Sequence, residues 1–347
     1  MSLVPTARVL ALLAILLVGC TTKSPSSSPT RIAISDGWLA MGTFFEIEIR
    51  VPPEKIERAR AFIEWSRLEI PRLEKIYSRH DPETELASLN QSLASDDVLT
   101  REFQLGSELE SILFLAMEVW EGSGGAFDMT VGPLVELWTR AIANGKWPSL
   151  EELRAAKARV GSQAFLLVGD GKLEVLKRGM RIDLDGISKG IVLDRLRETF
   201  QANLPQAAAL LNFGESSIMA IGDPDGLGWR LEIRSQEFSA ESHSVVHLRD
   251  KALSVSSSLG TSSELAGERV SQIVDPRTGS ILSEGVEAIV LADRASMADG
   301  WSTALLVVGA NRTAVRLMEK TNLEATILES SGRSVSTDGW ERVLISP

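Results

Sequence analysis

The sequence predicts an α+β fold, with helices mainly in the N-terminal half and a strand-rich C-terminal half around one core. Three observations lead there. Apolar residues at helical spacing dominate from Pro52 to Val160. Short alternating or fully apolar runs of strand length dominate from Ala208 to Glu329. Strands and helices also fail to alternate regularly, as a doubly wound parallel sheet would require. No internal repeat recurs at a fixed period.

The N-terminus reads as an export signal. Arg8 precedes an unbroken apolar run, Val9 to Val18, which is too short for a bilayer that needs roughly 20 residues. The run ends in Leu17-Val18-Gly19-Cys20, and Cys20 is the only cysteine. A buried thiol or an ordinary secretory signal are the plain alternatives. The position and uniqueness of Cys20 favour a lipoprotein signal over residues 1–19, with Cys20 lipidated. Residues 21–31, TTKSPSSSPTR, have too little apolar content to fold. Residues 20–36 are thus expected to form a flexible tether and residues 37–347 the folded domain.

Within that domain, Gly37 to Arg50 ends in the alternation Phe45, Ile47, Ile49 against Glu46, Glu48, a half-buried strand. Pro52 to Tyr77 is helical in spacing, although Pro71 should kink or end it. Ser78 to Asn90 reads as a loop and short helix. Phe103 to Glu121 is an amphipathic helix closed by Gly122 to Gly125. Val131 to Ala143 is another, and Ser149 with Glu152 forms a capping box for Ser149 to Val160. Ala164 to Val175 is a hairpin turning at Gly169-Asp170-Gly171. Met180 to Leu184 is a strand and Ile187 to Phe200 a helix. Strands follow at Ala209 to Phe213, Ser217 to Ile221, Trp229 to Ile233, Ser244 to Leu248, Ala252 to Ser256, Val270 to Val274 and Ala288 to Leu291. Helices at Ala298 to Val308 and Arg312 to Thr321 precede a strand at Glu324 to Glu329.

Thirty-six basic against 47 acidic residues give a formal charge of −11. That argues against nucleic-acid binding, which needs a basic stripe, and it leaves an anionic ligand dependent on local cations. Asp183-Leu184-Asp185-Gly186-Ile187-Ser188-Lys189-Gly190 meets that need. Its glycines permit close backbone approach, the start of a helix offers N–H groups, and Lys189 adds a point charge. An ordinary strand-turn-helix with a surface lysine is the alternative. Asp299 and Thr303, four apart, share a helix face, and a carboxylate with a hydroxyl suits Mg²⁺ beside a phosphate. A helix-capping acid and a backbone-bonded threonine are the plainer account. Phe127 and Asp128 either lie against a flat ring or serve as core residue and helix cap. Val270 to Gly279, VSQIVDPRTG, closes in turn chemistry. His80, His243 and His247 show no metal-ligand clustering.

Taken in order, seven strings resemble the ApbE family of Mg²⁺-dependent flavin transferases. They are Met41-Gly42-Thr43, the SRHDPETELASLN block after Tyr77, GGAFDMTVGPLVELW, DLDGISKGIVLD, LNFGE, VSQIVDPRTG and ADGWSTALLVVG. The resemblance spans residues 38 to 310. It implies an α+β fold that binds FAD and Mg²⁺, cleaves the FAD pyrophosphate and passes FMN to a Ser or Thr hydroxyl of a partner redox protein, leaving AMP. It further implies FAD contacts at Met41, Tyr77, Ala126, Phe127, Asp128, Asp183 and Lys189. Metal ligands are implied at Asp299, Thr303 and the Gly186 carbonyl. Members act at the outer face of the cytoplasmic membrane, which agrees with a lipid-anchored protein of the bacterial cell envelope.

Three positions depart from the family pattern. Gln272 stands where the family has His, and an amide cannot take a proton near neutral pH. Glu215 replaces the second glycine after LNF and puts a carboxylate where phosphates are expected. Ser257 lies where the family has glycine. Asp299 and Gln272 are accordingly the candidate catalytic positions, Gln272 with its chemistry altered. The alternative reading is an impaired FAD-binding lipoprotein, or an FAD pyrophosphatase using water as acceptor.

Overall fold

The computed structural model describes residues 31–94, 101–235, 243–260, 262–282 and 285–345. Cys20 and the export signal lie outside them. In chain order the elements begin with β1 (Ile32–Ala40), β2 (Thr43–Val51), α1 (Ile56–Tyr77), α2 (Glu85–Leu93) and β3 (Arg101–Gln104). Then come α3 (Ser107–Gly122), α4 (Gly132–Asn144), α5 (Leu150–Lys157), β4 (Phe165–Gly169), β5 (Lys172–Val175) and α6 (Ser188–Asn203). The second half contributes β6 (Ala208–Phe213), β7 (Ser217–Ile221), β8 (Trp229–Arg234), β9 (His243–Leu248) and β10 (Lys251–Ser257). It continues with β11 (Ser263–Leu265), β12 (Glu268–Val270), β13 (Val286–Ala292), α7 (Ala295–Val308) and α8 (Arg312–Met318). β14 (Glu324–Glu329), β15 (Ser334–Ser336), α9 (Trp340–Val343) and β16 (Leu344–Ile345) end the chain.

An eight-stranded antiparallel sheet, ordered β1-β2-β6-β7-β10-β13-β14-β15, is the frame. Its central strands are apolar on both faces; every residue of β7 and β13 is buried. Such strands need a layer on each side. The main core fills the face shared with α1, α3, α6 and α7. A smaller core lies against the sheet β16-β9-β8, around Trp229, Val246, Leu253 and Ile289. A third, detached cluster joins α4 and α5 to β11, β12 and the turn near Val274.

α7 runs through the main core. All its residues except Met297 and Thr303 are buried, so it has no solvent face. Its N-terminus is capped from outside the helix: Asp194 of α6 accepts the amides of Ala295 at 2.7 Å and Ser296 at 3.0 Å. α6 and α7 cross at Gly190, where a Cβ would stand 2.2 Å from the Ala295 carbonyl oxygen. Only glycine fits there.

Several boundaries differ from those the sequence predicts. The first strand starts at Ile32, so residues 32–36, expected in the tether, belong to the sheet. The single strand over Gly37 to Arg50 is a hairpin, because Met41 and Gly42 both take left-handed φ, 50° and 71°. Met-Gly gives no recognisable signal for such a turn. Pro71 does not end α1; Ile70, Leu73 and Tyr77 continue the buried stripe past it and hold the helix by packing. Phe103 sits in β3 rather than in the following helix. Val270 to Val274 is a strand only at its start, and an isolated bridge pairs Val274 with Ile281. The capping box at Ser149 and the hairpin turning at Asp170-Gly171 form as predicted.

Met180 to Leu184 is extended without being a strand. Its backbone partners are not another strand: Asn90 donates to the Ile182 carbonyl at 2.9 Å and accepts the Ile182 amide at 2.7 Å. The Asp183 amide donates to the Met129 carbonyl at 2.7 Å. Asn90→Ala removes both side-chain bonds and leaves two buried backbone groups unpaired. Urea denaturation is expected to show a loss of about 2–4 kcal/mol in unfolding free energy at unchanged m-value.

Candidate functional site

At one end of the sheet, where β7 begins and β10 ends, a cavity of about 550 Å³ opens between the main core and the detached α4–α5 cluster. That volume falls within the range of cofactor and small-molecule sites. Its lining combines apolar and aromatic side chains, among them Phe127, Val131, Val135 and Trp138, with the charged Arg79, Asp183, Lys189 and Asp299. That combination suits a ligand with a flat ring system and an anionic part.

Asp299 is only 6% exposed, on the second turn of α7. Its Oδ2 accepts the Gly190 amide at 2.9 Å, which the glycine-dependent helix crossing brings there. Its Oδ1 accepts the Ser217 hydroxyl at 3.1 Å and the Ser254 hydroxyl at 3.3 Å. Ser302 in turn bonds Ser254 at 3.0 Å and Ser256 at 2.7 Å. Burial pushes the Asp299 pKa up, while Lys189 and the hydrogen bonds oppose the rise. One turn along α7, the Thr303 hydroxyl approaches the Gly186 carbonyl at 3.4 Å. A Cβ on Gly186 would meet Thr303 Oγ1 at 3.1 Å and Phe127 Cε2 at 3.4 Å, so glycine keeps this space open.

Asp299, Thr303 and Gly186 thus offer a carboxylate, a hydroxyl and a carbonyl oxygen in one cavity lining with Lys189, whose ammonium donates to Ser216 Oγ at 2.7 Å. This donor set fits a hard divalent ion such as Mg²⁺, which takes oxygen ligands and completes its shell with water and phosphate oxygens. Among the described residues, no three His, Cys, Asp or Glu side chains form a metal cluster. A site here would draw on these mixed oxygens.

Asp183 presents a different problem. Arg79 Nε lies 3.0 Å from Asp183, and Arg79 Nη2 lies 2.9 Å from Asp185. One guanidinium thus serves two carboxylates, and His80 Nε2 reaches Asp185 at 3.3 Å. Burial, then repulsion from Asp185, pushes the Asp183 pKa up to about 6 against the pull of Arg79. Arg79, itself desolvated, is held above its ordinary value by the two acids together. With Arg79 occupied in this way, Lys189 is the less committed cation for an anionic ligand.

The cavity gathers Ala126, Phe127, Asp128, Asp183, Gly186, Lys189, Gln272, Asp299 and Thr303 from among the predicted site residues. Asp128 has a further role: its carboxylate accepts the Thr130 amide, the Thr130 hydroxyl and the Ser162 hydroxyl at 2.6–2.8 Å. These bonds pin the loop that presents Phe127. Gln272 is exposed at the mouth, its Nε2 donating to Ser263 Oγ at 3.2 Å. Ser257 also lines the cavity.

Met41 and Tyr77 are not brought to it. Tyr77 falls on the same helical stripe as Ile70 and Leu73 and is buried in the main core, which raises its phenol pKa. Met41 occupies the β1–β2 turn, packs on that core and donates its amide to Glu74 at 2.7 Å. Glu215 is exposed and outside the cavity lining. It sits in the β6–β7 turn at φ 62°, its amide bonded to Asn212 Oδ1 at 2.9 Å. Its carboxylate is therefore not part of the lining, although the neighbouring Ser216 is.

Sequence reasoning missed Arg79, Asp185, Ser216, Ser217, Ser254 and Ser302. One signal was present for Ser254 and Ser256: they alternate with Leu253 and Val255 on a strand otherwise bound for burial. Arg79 offered none, since its partners lie over a hundred residues away.

A family model described as the ApbE family matches residues 41–327. The chain belongs to the ApbE family. It is 26% identical over 333 residues to the FAD:protein FMN transferase of Klebsiella pneumoniae strain 342, covering 93% of this chain and 92% of that protein. It is 28% identical over 272 residues to the protein of the same name from Treponema pallidum strain Nichols, covering 74% and 73%. Among solved structures, the ApbE protein of Thermotoga maritima superposes with a TM-score of 0.80 at 24% identity, covering 91% of this chain and all of that one. The apo flavinyl transferase ApbE of Pseudomonas stutzeri gives 0.77 at 21% identity, covering 91% and 98%. The α+β architecture is thus that of ApbE structures.

The raised Asp183 pKa has a thermodynamic sign. The folded state holds this proton more tightly than the unfolded chain. The resulting stability is complete below the ordinary 3.8 and is lost as pH rises through about 6. Asp183→Asn, neutral throughout, is expected to raise Tm at pH 8 and to lose that advantage at pH 4. Thermal melts at the two pH values check it; an equal difference at both contradicts it.

Proposed function

We propose that this protein is an Mg²⁺-dependent FAD:protein FMN transferase, anchored by a lipid on Cys20 in the bacterial cell envelope. It would use FAD as substrate and attach FMN through a phosphoester to a Ser or Thr of a partner redox protein. One observation carries this reading: Asp299, Thr303 and Gly186 line one cavity with Lys189 and Phe127, the Thr303 hydroxyl 3.4 Å from the Gly186 carbonyl, in an ApbE-family chain whose relatives bear that name. The anchor rests on the Val9 to Val18 run and its position before Cys20.

The chain's own groups divide the work. Phe127 and the apolar wall receive a ring, Lys189 places a positive charge against the pyrophosphate, and Gly186 lets backbone approach it. Ser217, Ser254 and the Gly190 amide hold Asp299 in one orientation. Bound by Asp299, Thr303 and the Gly186 carbonyl, Mg²⁺ would supply Lewis-acid neutralisation of phosphoryl charge. In the transfer, the acceptor oxygen bonds to the phosphorus of the FMN half and the pyrophosphate P–O bond breaks. AMP leaves with the bridging oxygen, and the hydroxyl proton passes to solvent. Gln272 can orient that hydroxyl by hydrogen bonding but cannot hold its proton.

Purified protein incubated with FAD, Mg²⁺ and a Ser/Thr acceptor is expected to yield a flavin-fluorescent acceptor and AMP in equal amounts. An unlabelled acceptor after prolonged incubation, when the same acceptor is competent for another transferase, contradicts the reading. Free FMN in place of labelled acceptor would identify hydrolysis instead. Gln272→His supplies a base and is expected to raise kcat about 10²-fold, measured at saturating FAD. Asp299→Ala is expected to abolish the Mg²⁺ dependence of FAD affinity in calorimetric titration.

A further inference from the structure

Two walls of the cavity belong to different cores. Lys189, Ser216, Asp299 and Thr303 stand on elements of the main sheet and its helices. Val131, just before α4, and Val135 and Trp138 of α4 line the cavity together with Gln272, Val274 and Pro276. The second group is stabilised by the detached cluster, in which Leu134, Trp138, Val160, Leu265, Val270 and Val274 pack on one another. None of these six side chains belongs to the main core, whereas Ile273 and Leu282 pack against it.

Residues 270–282 within that cluster form an irregular hairpin closed mostly on itself. The Ser271 amide donates to the Leu282 carbonyl at 3.2 Å, Leu282 returns to Ile273 at 3.0 Å, and Asp275 donates to Ser280 at 2.8 Å. At the turn, the Asp275 carboxylate accepts the Arg277 amide at 2.8 Å and its guanidinium at 2.9 Å and 3.0 Å. Among the described residues, a single hydrogen bond ties this hairpin to α4: Trp138 Nε1 donates to the Gly279 carbonyl at 2.8 Å. Gly279 takes φ 84°, and a Cβ there would come within 3.2 Å of Leu134 and 3.3 Å of Leu153. The turn thus seats directly on the apolar faces of α4 and α5, with the indole N–H fixing its height.

We propose that residues 270–282 are a flap forming one wall of the FAD cavity, its base at Ile273 and Leu282 on the main core and its turn on the detached cluster, and that Trp138 is the positioning residue that latches the turn. Besides lining the cavity itself, Trp138 acts through Gly279 on Gln272, Val274 and Pro276, and not on the reacting atoms. Releasing the latch widens the distribution of wall positions, so a smaller fraction of molecules holds the binding-competent cavity. The inference rests on the assignment of this cavity to FAD.

Amide hydrogen exchange on the wild-type protein, without ligand, tests the flap directly. The protected amides of residues 270–282 are expected to exchange as one group, faster than Val286–Ala292 of the central sheet; exchange at a common rate overturns the proposal. Trp138→Phe keeps an aromatic ring and removes the N–H. It is expected to speed exchange of residues 270–282 at least ten-fold while leaving 286–292 unchanged, and to weaken FAD affinity about five-fold. Trp147→Phe, which alters the ring packed edge-on against Trp138 at 5.9 Å but keeps the bond, serves as the comparison. Exchange in Trp138→Phe equal to wild type, or accelerated alike in both segments, overturns the latch. Should the wild-type protein bind no FAD, the functional reading fails while the exchange result still judges the flap.

Discussion

A buried carboxylate governs the arrangement of this protein. Asp299 sits inside a helix that has almost no solvent face, where an ion costs several kcal/mol unless partners compensate it. The Gly190 amide, two serine hydroxyls and the nearby Lys189 charge supply that compensation. They come from three elements, α6, β7 and β10. The α6–α7 crossing delivers the amide, β7 and β10 deliver the hydroxyls, and the first turn of α6 delivers the lysine. The close approach at Gly190, the inward serines of the sheet and the capping of α7 by Asp194 all converge on one geometry.

Charge is distributed sparingly around it. In an acidic chain, Arg79 is shared between Asp183 and Asp185, and Asp128 is consumed in holding its own loop. What remains for a ligand is Lys189 and a set of oxygens with room between them. A phosphate-bearing ligand and a hard cation satisfy those oxygens together better than either would alone. Glu215 stays out of the lining because it occupies the β6–β7 turn, exposed to solvent, one residue before Ser216.

Elements with strong local signals were legible. α3, α4, α6 and α7 follow apolar spacing, and the Ser149 capping box is written in two residues three apart. The errors cluster where local pattern and tertiary contact diverge. Pro71 carries a breaker signal that the packed stripe of α1 overrides. Met180 to Leu184 has strand composition, yet its backbone bonds go to the side chain of Asn90. Met41 and Tyr77 sit in strings that carry the family resemblance, but string membership does not say which way a side chain faces. For Tyr77 the helical stripe shared with Ile70 and Leu73 answers that question, and the answer is the core.

The sequence by itself determined the ApbE family membership, the kinds of element and most of the polar residues that line the cavity, because these depend on residue type and near spacing. Tertiary structure alone decided that Ser217, Ser254 and Gly190 would surround Asp299, that Arg79 would be divided between two acids, and that Trp138 would seat the turn at Gly279. Those contacts join positions from 45 to 141 residues apart. Their formation depends on sheet order and helix crossing, which no local periodicity encodes.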